Sequence, residues 1–154
     1  MQLKTLLLAS SLMALFVVQN SALASDFSIH PVYFNERMPL VRSGIEDSLI
    51  EYVTSKEVLG NDALAIGTLK GEFRVKIIGS TDNIECAGNE CAELSLRRAK
   101  LVYSWMLAHG VSLSQLLPPE GQGSSDPIAD NKTSYGRARN RHVEFIAVPI
   151  STSP

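Results

Sequence analysis

Strand-like and helix-like segments alternate along this 154-residue chain, and their order restricts the fold more than any other feature of the sequence. Residues 73–78 alternate apolar and basic side chains before becoming wholly apolar, which is typical of a strand buried at one end. Residues 90–109 show helical periodicity and are followed by Gly110, a residue that suits a helix end. Residues 141–149 alternate again and predict a last strand. The buried side of the long helix is predicted to consist of Leu94, Leu101, Val102, Trp105 and Leu107.

The segments before residue 73 are less regular. Residues 30–34 are rich in β-branched and aromatic side chains and predict a first strand. Gly60-Asn61-Asp62 indicates a turn, and residues 63–71 are predicted only as a connection that could contain strand or helix. A helix is predicted over residues 40–56, because apolar side chains recur there at steps of three and four, at Val41, Ile45, Leu49, Tyr52 and Val53.

Between the long helix and the last strand, residues 116–130 contain three prolines and two glycines and are predicted to form a loop. A short helix is predicted over residues 133–139. The whole order is strand, helix, strand, helix, short helix, strand. Helices interleaved with strands in this way predict a sheet covered by helices on one face, in two layers.

The amino-terminal residues predict export from the cytoplasm. Lys4 precedes an apolar run over residues 6–18, and Ala22-Leu23-Ala24 offers small residues where a signal peptidase would cut. We therefore expect a signal peptide over residues 1–24 and a periplasmic mature protein. An uncleaved membrane anchor is the alternative, although the apolar run is shorter than the roughly 20 residues that a membrane span needs.

About 130 residues would remain after cleavage, which is enough for one domain with a core of its own. The full chain has 14 basic and 16 acidic residues, and residues 1–24 contain one lysine and no acid. The mature part is therefore acidic overall, which argues against a nucleic-acid partner.

The two cysteines, Cys86 and Cys91, lie five positions apart in the part predicted to reach the periplasm. In an oxidising compartment such a pair predicts a disulfide, with two free thiols as the alternative. The histidines, His30, His109 and His142, are scattered, with no metal-ligand spacing around them. The sequence therefore predicts neither a metal site nor another cofactor.

Charged residues at the ends of three predicted elements could meet around one small zwitterion. Asp82 follows the strand at 73–78, Arg98 lies in the early turns of the long helix, and Arg141 begins the last strand. A carboxylate can accept hydrogen bonds from an ammonium, and a guanidinium can hold a carboxylate through two parallel bonds. Taken singly, each has a simpler interpretation: Asp82 as a turn residue, Arg98 as a helix-surface charge, and Arg141 as a partner of Glu144.

Residues 73–148 carry a series of short motifs in a fixed order: Gly79-Ser80-Thr81-Asp82, Leu94-Ser95, Arg98-Ala99, Gly110-Val111, Gly121-Gln122-Gly123, Pro127-Ile128-Ala129, Asn131, Thr133, Gly136-Arg137-Ala138, Asn140-Arg141 and Val143-Glu144. Together they resemble the OmpA-like peptidoglycan-binding domain. The resemblance implies an α+β fold, a two-layer βαβαβ domain whose mixed sheet has helices packed on one face. It would span residues 29–150, between a short lead-in at 25–28 and a tail at 151–154.

The resemblance also implies a function and a site. Members of this family bind peptidoglycan without covalent chemistry, through its diaminopimelate side chain. Carried over, Asp82 and Arg98 would hold the ammonium and carboxylate of that group, Arg141 would add a contact, and Thr81 would line the same spot. The sequence departs from the family at Cys91, where an asparagine is usual. A second departure is His142, where a second arginine is usual; in an alternating strand it should point away from Arg141.

Peptidoglycan is thus the expected partner, with an outer-membrane or other envelope assembly as a further one. The alternative is a periplasmic protein-interaction module whose peptidoglycan site is weakened at Cys91. An enzyme is not predicted, because no nucleophile and base lie at a useful spacing. The acids nearest the site, Glu85, Glu90 and Glu93, crowd a loop and a helix start, where carboxylates suit the helix dipole.

Overall fold

A computed structural model describes residues 29–40, 44–49, 56–69 and 71–150. The predicted signal peptide, lead-in and tail lie outside these residues and stay predictions. The elements, in chain order, are strand β1 (Val32–Tyr33), helices α1 (Ile45–Ser48) and α2 (Lys56–Gly67), strand β2 (Phe73–Gly79), helix α3 (Asn89–Ala108), a 3-10 turn (Leu113–Gln115), strand β3 (Glu120–Gly121), helix α4 (Ser134–Asn140) and strand β4 (His142–Pro149).

The four strands of the described part form one mixed sheet in the order β1-β4-β2-β3. Strand β4 is antiparallel to both β1 and β2, whereas β3 runs parallel to β2. The longest pairing joins Phe73 to Pro149 at one end and Gly79 to Val143 at the other. The predicted α+β class and mixed sheet are confirmed.

The core lies between this sheet and helices α2 and α3. Strand β2 contributes Val75 and Ile77, which are fully buried because alternate side chains of a strand face the same side. The helices contribute apolar residues at steps of three, four and seven, which form one face of each helix. These residues are Leu59, Ala63 and Ile66 from α2, and Ala99, Val102 and Met106 from α3.

The later predictions agree with the structure closely. Strand β2, helix α3, helix α4 and strand β4 all begin and end within one or two residues of the predicted bounds. Gly110 follows the end of α3 with a φ of 94°, the left-handed conformation expected after a helix. Thr133 caps α4 by accepting a hydrogen bond from the N–H of Gly136 at 2.9 Å. The two-residue strand β3 was not predicted, because its segment reads as a loop.

The prediction of a helix over residues 40–56 was wrong. Among the described residues of this range, Ile45–Ser48 forms a short helix and Lys56 begins α2, but Leu49 has an extended backbone that bridges to Phe34. The N–H of Asn35 donates to the carbonyl of Ser48, and the Asn35 side chain donates to the carbonyl of Leu49. These tertiary bonds replace the helical ones. Three of the predicted apolar positions, Val41, Tyr52 and Val53, lie outside the described residues.

The turn predicted at Gly60-Asn61-Asp62 was also wrong, because all three residues lie inside α2. Asp62 is buried and accepts two hydrogen bonds from His30, one from its backbone N–H at 3.2 Å and one from Nδ1 at 3.0 Å. This contact ties the segment before β1 to the middle of α2. A polar residue that suggests a turn is here a buried tertiary contact.

Candidate functional site

Asp82 lies in the segment that follows β2, and both oxygens of its carboxylate already accept hydrogen bonds from groups of the protein. The N–H groups of Ile84 and Glu85 donate to Oδ1 of Asp82 at 2.7 Å and 2.9 Å. The guanidinium of Arg141 donates from Nη1 to Oδ2 at 2.8 Å. Asp82 is only 1% exposed. It is therefore both a turn residue and one half of an ion pair.

Burial alone would raise the pKa of Asp82. The hydrogen bonds from Arg141, Ile84 and Glu85 outweigh burial, so the pKa lies below its ordinary value of 3.8. Asp82 is therefore a carboxylate at neutral pH. This is the charge state that could receive an ammonium group.

Arg141 follows helix α4 and reaches Asp82 across 59 residues of sequence. Its Nε also donates to the carbonyl of Phe34 at 3.1 Å, so the side chain joins the start of β4 to the end of β1. The ion pair that the structure shows for Arg141 is with Asp82, and the side chain is 12% exposed. The alternative pairing with Glu144 is not what the structure shows.

Arg98 lies on α3 and is completely buried, so it is not a helix-surface charge. Its Nε donates to the carbonyl of Met38 at 2.8 Å, and Nη1 donates to the carbonyl of Ser80 at 2.8 Å. A longer bond of 3.3 Å runs from Nη2 to the carbonyl of Asn35. The remaining two N–H groups hold a carboxylate, that of Glu85, at 2.6 Å and 2.7 Å. A guanidinium has five N–H donors, and all five are used here.

Glu85 is the residue that sequence analysis missed. We attributed it to the helix dipole, but its side chain is 0% exposed and forms both bonds of the fork with Arg98. Its Oε1 also accepts a bond from the N–H of Asp82, while Asp82 accepts one from the N–H of Glu85. This reciprocal pair has the geometry of a capping box, in which the two residues stand three apart. That spacing is the one sequence signal that could have identified Glu85.

The structure thus brings the three predicted charged residues together with a fourth. We call Asp82, Glu85, Arg98 and Arg141 the charge cluster. The negative charges of its two acids balance the positive charges of its two arginines. The cluster is closed to solvent except at Arg141. Burial lowers the pKa of Arg98, and the hydrogen bonds and charge of Glu85 oppose that change.

Thr81 also lies beside the cluster and is 1% exposed. Among the described residues, its hydroxyl is the one buried side-chain polar atom that has no hydrogen-bond partner. A buried hydroxyl without a partner is costly, because it gives up its bonds to water and gains none. Thr81 directly precedes Asp82 in the chain, and a role for its hydroxyl toward a ligand stays a prediction.

The loop between Asp82 and α3 is closed by a disulfide between Cys86 and Cys91, which confirms the predicted bridge. Cys91 lies in the first turns of α3, so the bridge ties the loop directly to that helix. Beside the loop is a groove of about 500 Å³. Its lining includes Glu85, Arg37 and Arg97, but not the other three members of the charge cluster.

His142, the second departure from the family pattern, is buried at the start of β4 beside Tyr33 of β1. Its Nδ1 lies 3.2 Å from the carbonyl of Asn140, which can accept a hydrogen bond but not donate one. Burial lowers the pKa of His142, and the contacts with Asn140 and Glu144 offset this only in part. Neutral His142 is therefore favoured in the folded protein.

We expect this burial to make stability depend on pH. The unfolded protein binds a proton at His142 near pH 6.5, and the folded protein does so only at lower pH, so the free energy of unfolding falls as the pH drops below 6.5. Urea unfolding of the native protein and of His142→Gln at pH 7.5 and 5.5 measures this. The stability advantage of the native protein over the variant should shrink at pH 5.5; an equal advantage at both pH values would contradict the expectation.

Within the described part of the chain, no group of three or more histidine, cysteine, aspartate or glutamate side chains could hold a metal ion. The same residues include no helix with the length and apolar character needed to cross a membrane.

Comparison with known proteins shows what this arrangement resembles. A model of the OmpA family matches residues 54–141. Peptidoglycan-binding protein ArfA of Mycobacterium tuberculosis (strain ATCC 25618 / H37Rv) is 44% identical over 75 residues, which are 49% of this chain and 22% of ArfA. The chain therefore spans less than a quarter of that relative.

Solved structures show the same fold. The C-terminal domain of Helicobacter pylori MotB has a TM-score of 0.65 at 23% identity, covering 80% of this chain and 88% of that domain. The cell wall anchor of the T6SS from Pseudomonas aeruginosa has a TM-score of 0.56 at 25% identity, covering 80% of this chain and 85% of that one.

Proposed function

Because this chain belongs to the OmpA family, we propose that it binds peptidoglycan without covalent chemistry and ties an envelope component to the cell wall. The observation that carries the proposal is the charge cluster. Side chains from a loop, a helix and a strand start, up to 59 residues apart, converge there. Thr81, which directly precedes Asp82 in the chain, has a buried hydroxyl without a partner. Two similar proteins, a peptidoglycan-binding protein and a cell wall anchor, support the same proposal.

The ligand group that suits the cluster is the free end of diaminopimelate, which carries an ammonium and a carboxylate on one carbon. In our proposal the ammonium lies against Asp82, and the hydroxyl of Thr81 supplies a further hydrogen bond. The carboxylate lies against Arg98, with Arg141 beside it. Charge-assisted bonds of this kind contribute about 1.5–3 kcal/mol each, whereas an exposed ion pair contributes about 0–1 kcal/mol. Because the cluster is buried, we expect the larger of these two contributions.

Asp82→Asn tests the proposal, because it removes the charge that attracts an ammonium and keeps the shape of the side chain. We expect the variant to bind purified sacculi with an affinity at least about tenfold lower, the equivalent of about 1.4 kcal/mol. The fraction of protein that sediments with the sacculi measures this affinity. Free diaminopimelate should compete with the sacculi for the native protein, and 1,5-diaminopentane, which has the ammonium groups but no carboxylate, should not.

The matched control is Glu72→Gln, which changes an exposed carboxylate just before β2, at the opposite end of that strand from Asp82. It should bind sacculi as the native protein does, and circular dichroism should show both variants folded. Undiminished sedimentation of folded Asp82→Asn would contradict the proposed site. Failure of the native protein to sediment would contradict the proposed function.

One observation favours the second candidate, a periplasmic protein-interaction module with a weakened wall site. All five donors of Arg98 are already used within the protein. A partner protein captured from envelope extracts equally well by the native protein and by Asp82→Asn would favour this candidate.

A further inference from the structure

The two bonds between Glu85 and Arg98 have the geometry of a bound ligand carboxylate. They run from Nη1 and Nη2 of one guanidinium to the two oxygens of one carboxylate, at 2.6 Å and 2.7 Å. The other three donors of Arg98 bind backbone carbonyls, which have fixed places in the fold. The fork held by Glu85 is therefore the part of Arg98 that a ligand could use.

We propose that Glu85 is an internal occupant of this carboxylate position, and that a ligand carboxylate binds by taking its place on Arg98. This inference rests on the proposed function, because it concerns how the same site accepts its ligand. The exchange replaces one carboxylate by another, so the buried guanidinium keeps a counter-charge throughout. A buried cation that lost its partner without replacement would be strongly unfavourable.

The structure also has room for Glu85 once it leaves Arg98. Glu85 is one of the residues that line the groove of about 500 Å³, and the basic residues Arg37 and Arg97 line the same groove. Both are exposed, and their contacts with Glu36 and Glu93 are long, at 4.0 Å. They can therefore meet the displaced carboxylate in the groove.

The surrounding backbone restricts this movement to the Glu85 side chain. On one side, the carboxylate of Asp82 holds the N–H groups of Ile84 and Glu85. On the other side, Cys86 is covalently tied to Cys91 on α3. The loop can thus stay in place while the side chain rotates from Arg98 into the groove. The incoming carboxylate must then also accept hydrogen bonds from the N–H groups of Arg37 and Asp82, which donate to the Glu85 carboxylate at 2.8 Å and 3.2 Å.

An internal occupant lowers the apparent affinity for a ligand by the fraction of protein in which the position is free. Glu85→Gln removes the competing charge with little change of shape. We expect it to bind sacculi at least about tenfold more tightly than the native protein, with the increase abolished by adding Asp82→Asn. Glu90→Gln, a carboxylate that lines the same groove, is the matched control and should bind as the native protein does. Equal or weaker binding by folded Glu85→Gln would overturn the inference.

A second measurement does not depend on peptidoglycan. In Glu85→Ala the position on Arg98 is empty, and we expect acetate at about 100 mM to raise the melting temperature by roughly 4 °C over the same concentration of chloride. If the variant does not fold in chloride, acetate should restore folding. The native protein should respond equally to both salts. A Glu85→Ala variant that does not distinguish acetate from chloride would overturn the inference, even if the native protein sediments with sacculi. If the variant responds selectively to acetate but the native protein does not sediment, only the proposed function is refuted.

Discussion

Replacing Arg98 by alanine is expected to lower the free energy of unfolding by about 3–5 kcal/mol, the usual cost of removing one partner of a buried ion pair. The substitution leaves the fully buried carboxylate of Glu85 without its counter-charge. It also leaves the carbonyls of Asn35, Met38 and Ser80 without the donor that links their segments to α3. Urea unfolding followed by circular dichroism measures the loss.

The neighbouring arginine provides the matched control. Arg97 is 43% exposed and lies 4.0 Å from Glu93, so Arg97→Ala should change stability by no more than about 0.5 kcal/mol. Similar losses of stability in the two alanine variants would contradict the argument that the burial of Arg98 causes the large loss. The pair can also be tested by combining Arg98→Ala with Glu85→Ala. The double variant should lose less than the sum of the single losses, because the second substitution removes a charge that the first one left unpaired.

The expected instability of Arg98→Ala affects how the site should be tested. A loss of wall binding in this variant could follow from lost folding, because the same side chain joins α3 to three other segments. Asp82 and Glu85 offer more specific tests, since each can be changed to an amide of nearly the same shape. For Arg98 itself, binding is informative only where unfolding data show that the variant is folded.

The later half of the fold could be predicted because local and tertiary signals agree there. Helix α3 combines regular apolar spacing with a glycine at its end, and β4 alternates before its apolar part. The helix predicted in the earlier half was wrong because the same apolar spacing occurs there in a segment that includes an extended residue. Ile45 and Leu49 are both buried, as a helix face would be, yet Leu49 pairs with Phe34 as an extended residue. The spacing of apolar residues predicts which residues are buried more reliably than it predicts their backbone conformation.

The site shows a similar division. The family motifs predicted which charged residues to inspect, and the structure places Asp82, Arg98 and Arg141 in one cluster, although their roles toward a ligand stay predictions. The partner of Arg98 could not be predicted in this way. Glu85 is 13 residues away from it in sequence, and nothing in the composition of that loop indicates that one acid of three is buried. Only the spacing of Asp82 and Glu85 offered a clue.

Replacing Gly79 by alanine is expected to lower the free energy of unfolding by at least about 2–3 kcal/mol, because β2 and α3 approach too closely there for a side chain. A Cβ atom on Gly79 would lie 2.0 Å from the carbonyl oxygen of Ser95 and 3.2 Å from the backbone nitrogen of Ala99. Both atoms belong to the α3 backbone, so no side chain can rotate away to make room. The strand and the helix would have to separate at the point where Asp82 and Arg98 are brought together. Denaturant unfolding measures the stability loss, and sedimentation with sacculi should weaken with it.

The same substitution at Gly60 should have the opposite sign, which makes it the matched control. Gly60 lies inside α2, and a Cβ atom there would meet nothing within 4 Å. Alanine restricts the unfolded chain and favours a helix, so Gly60→Ala should raise the free energy of unfolding by about 0.4–1 kcal/mol. This result would also test the helix itself, because a turn at Gly60-Asn61-Asp62 would give no such gain. Destabilisation by Gly60→Ala would contradict the helical assignment, and tolerance of Gly79→Ala would contradict the close packing of β2 on α3.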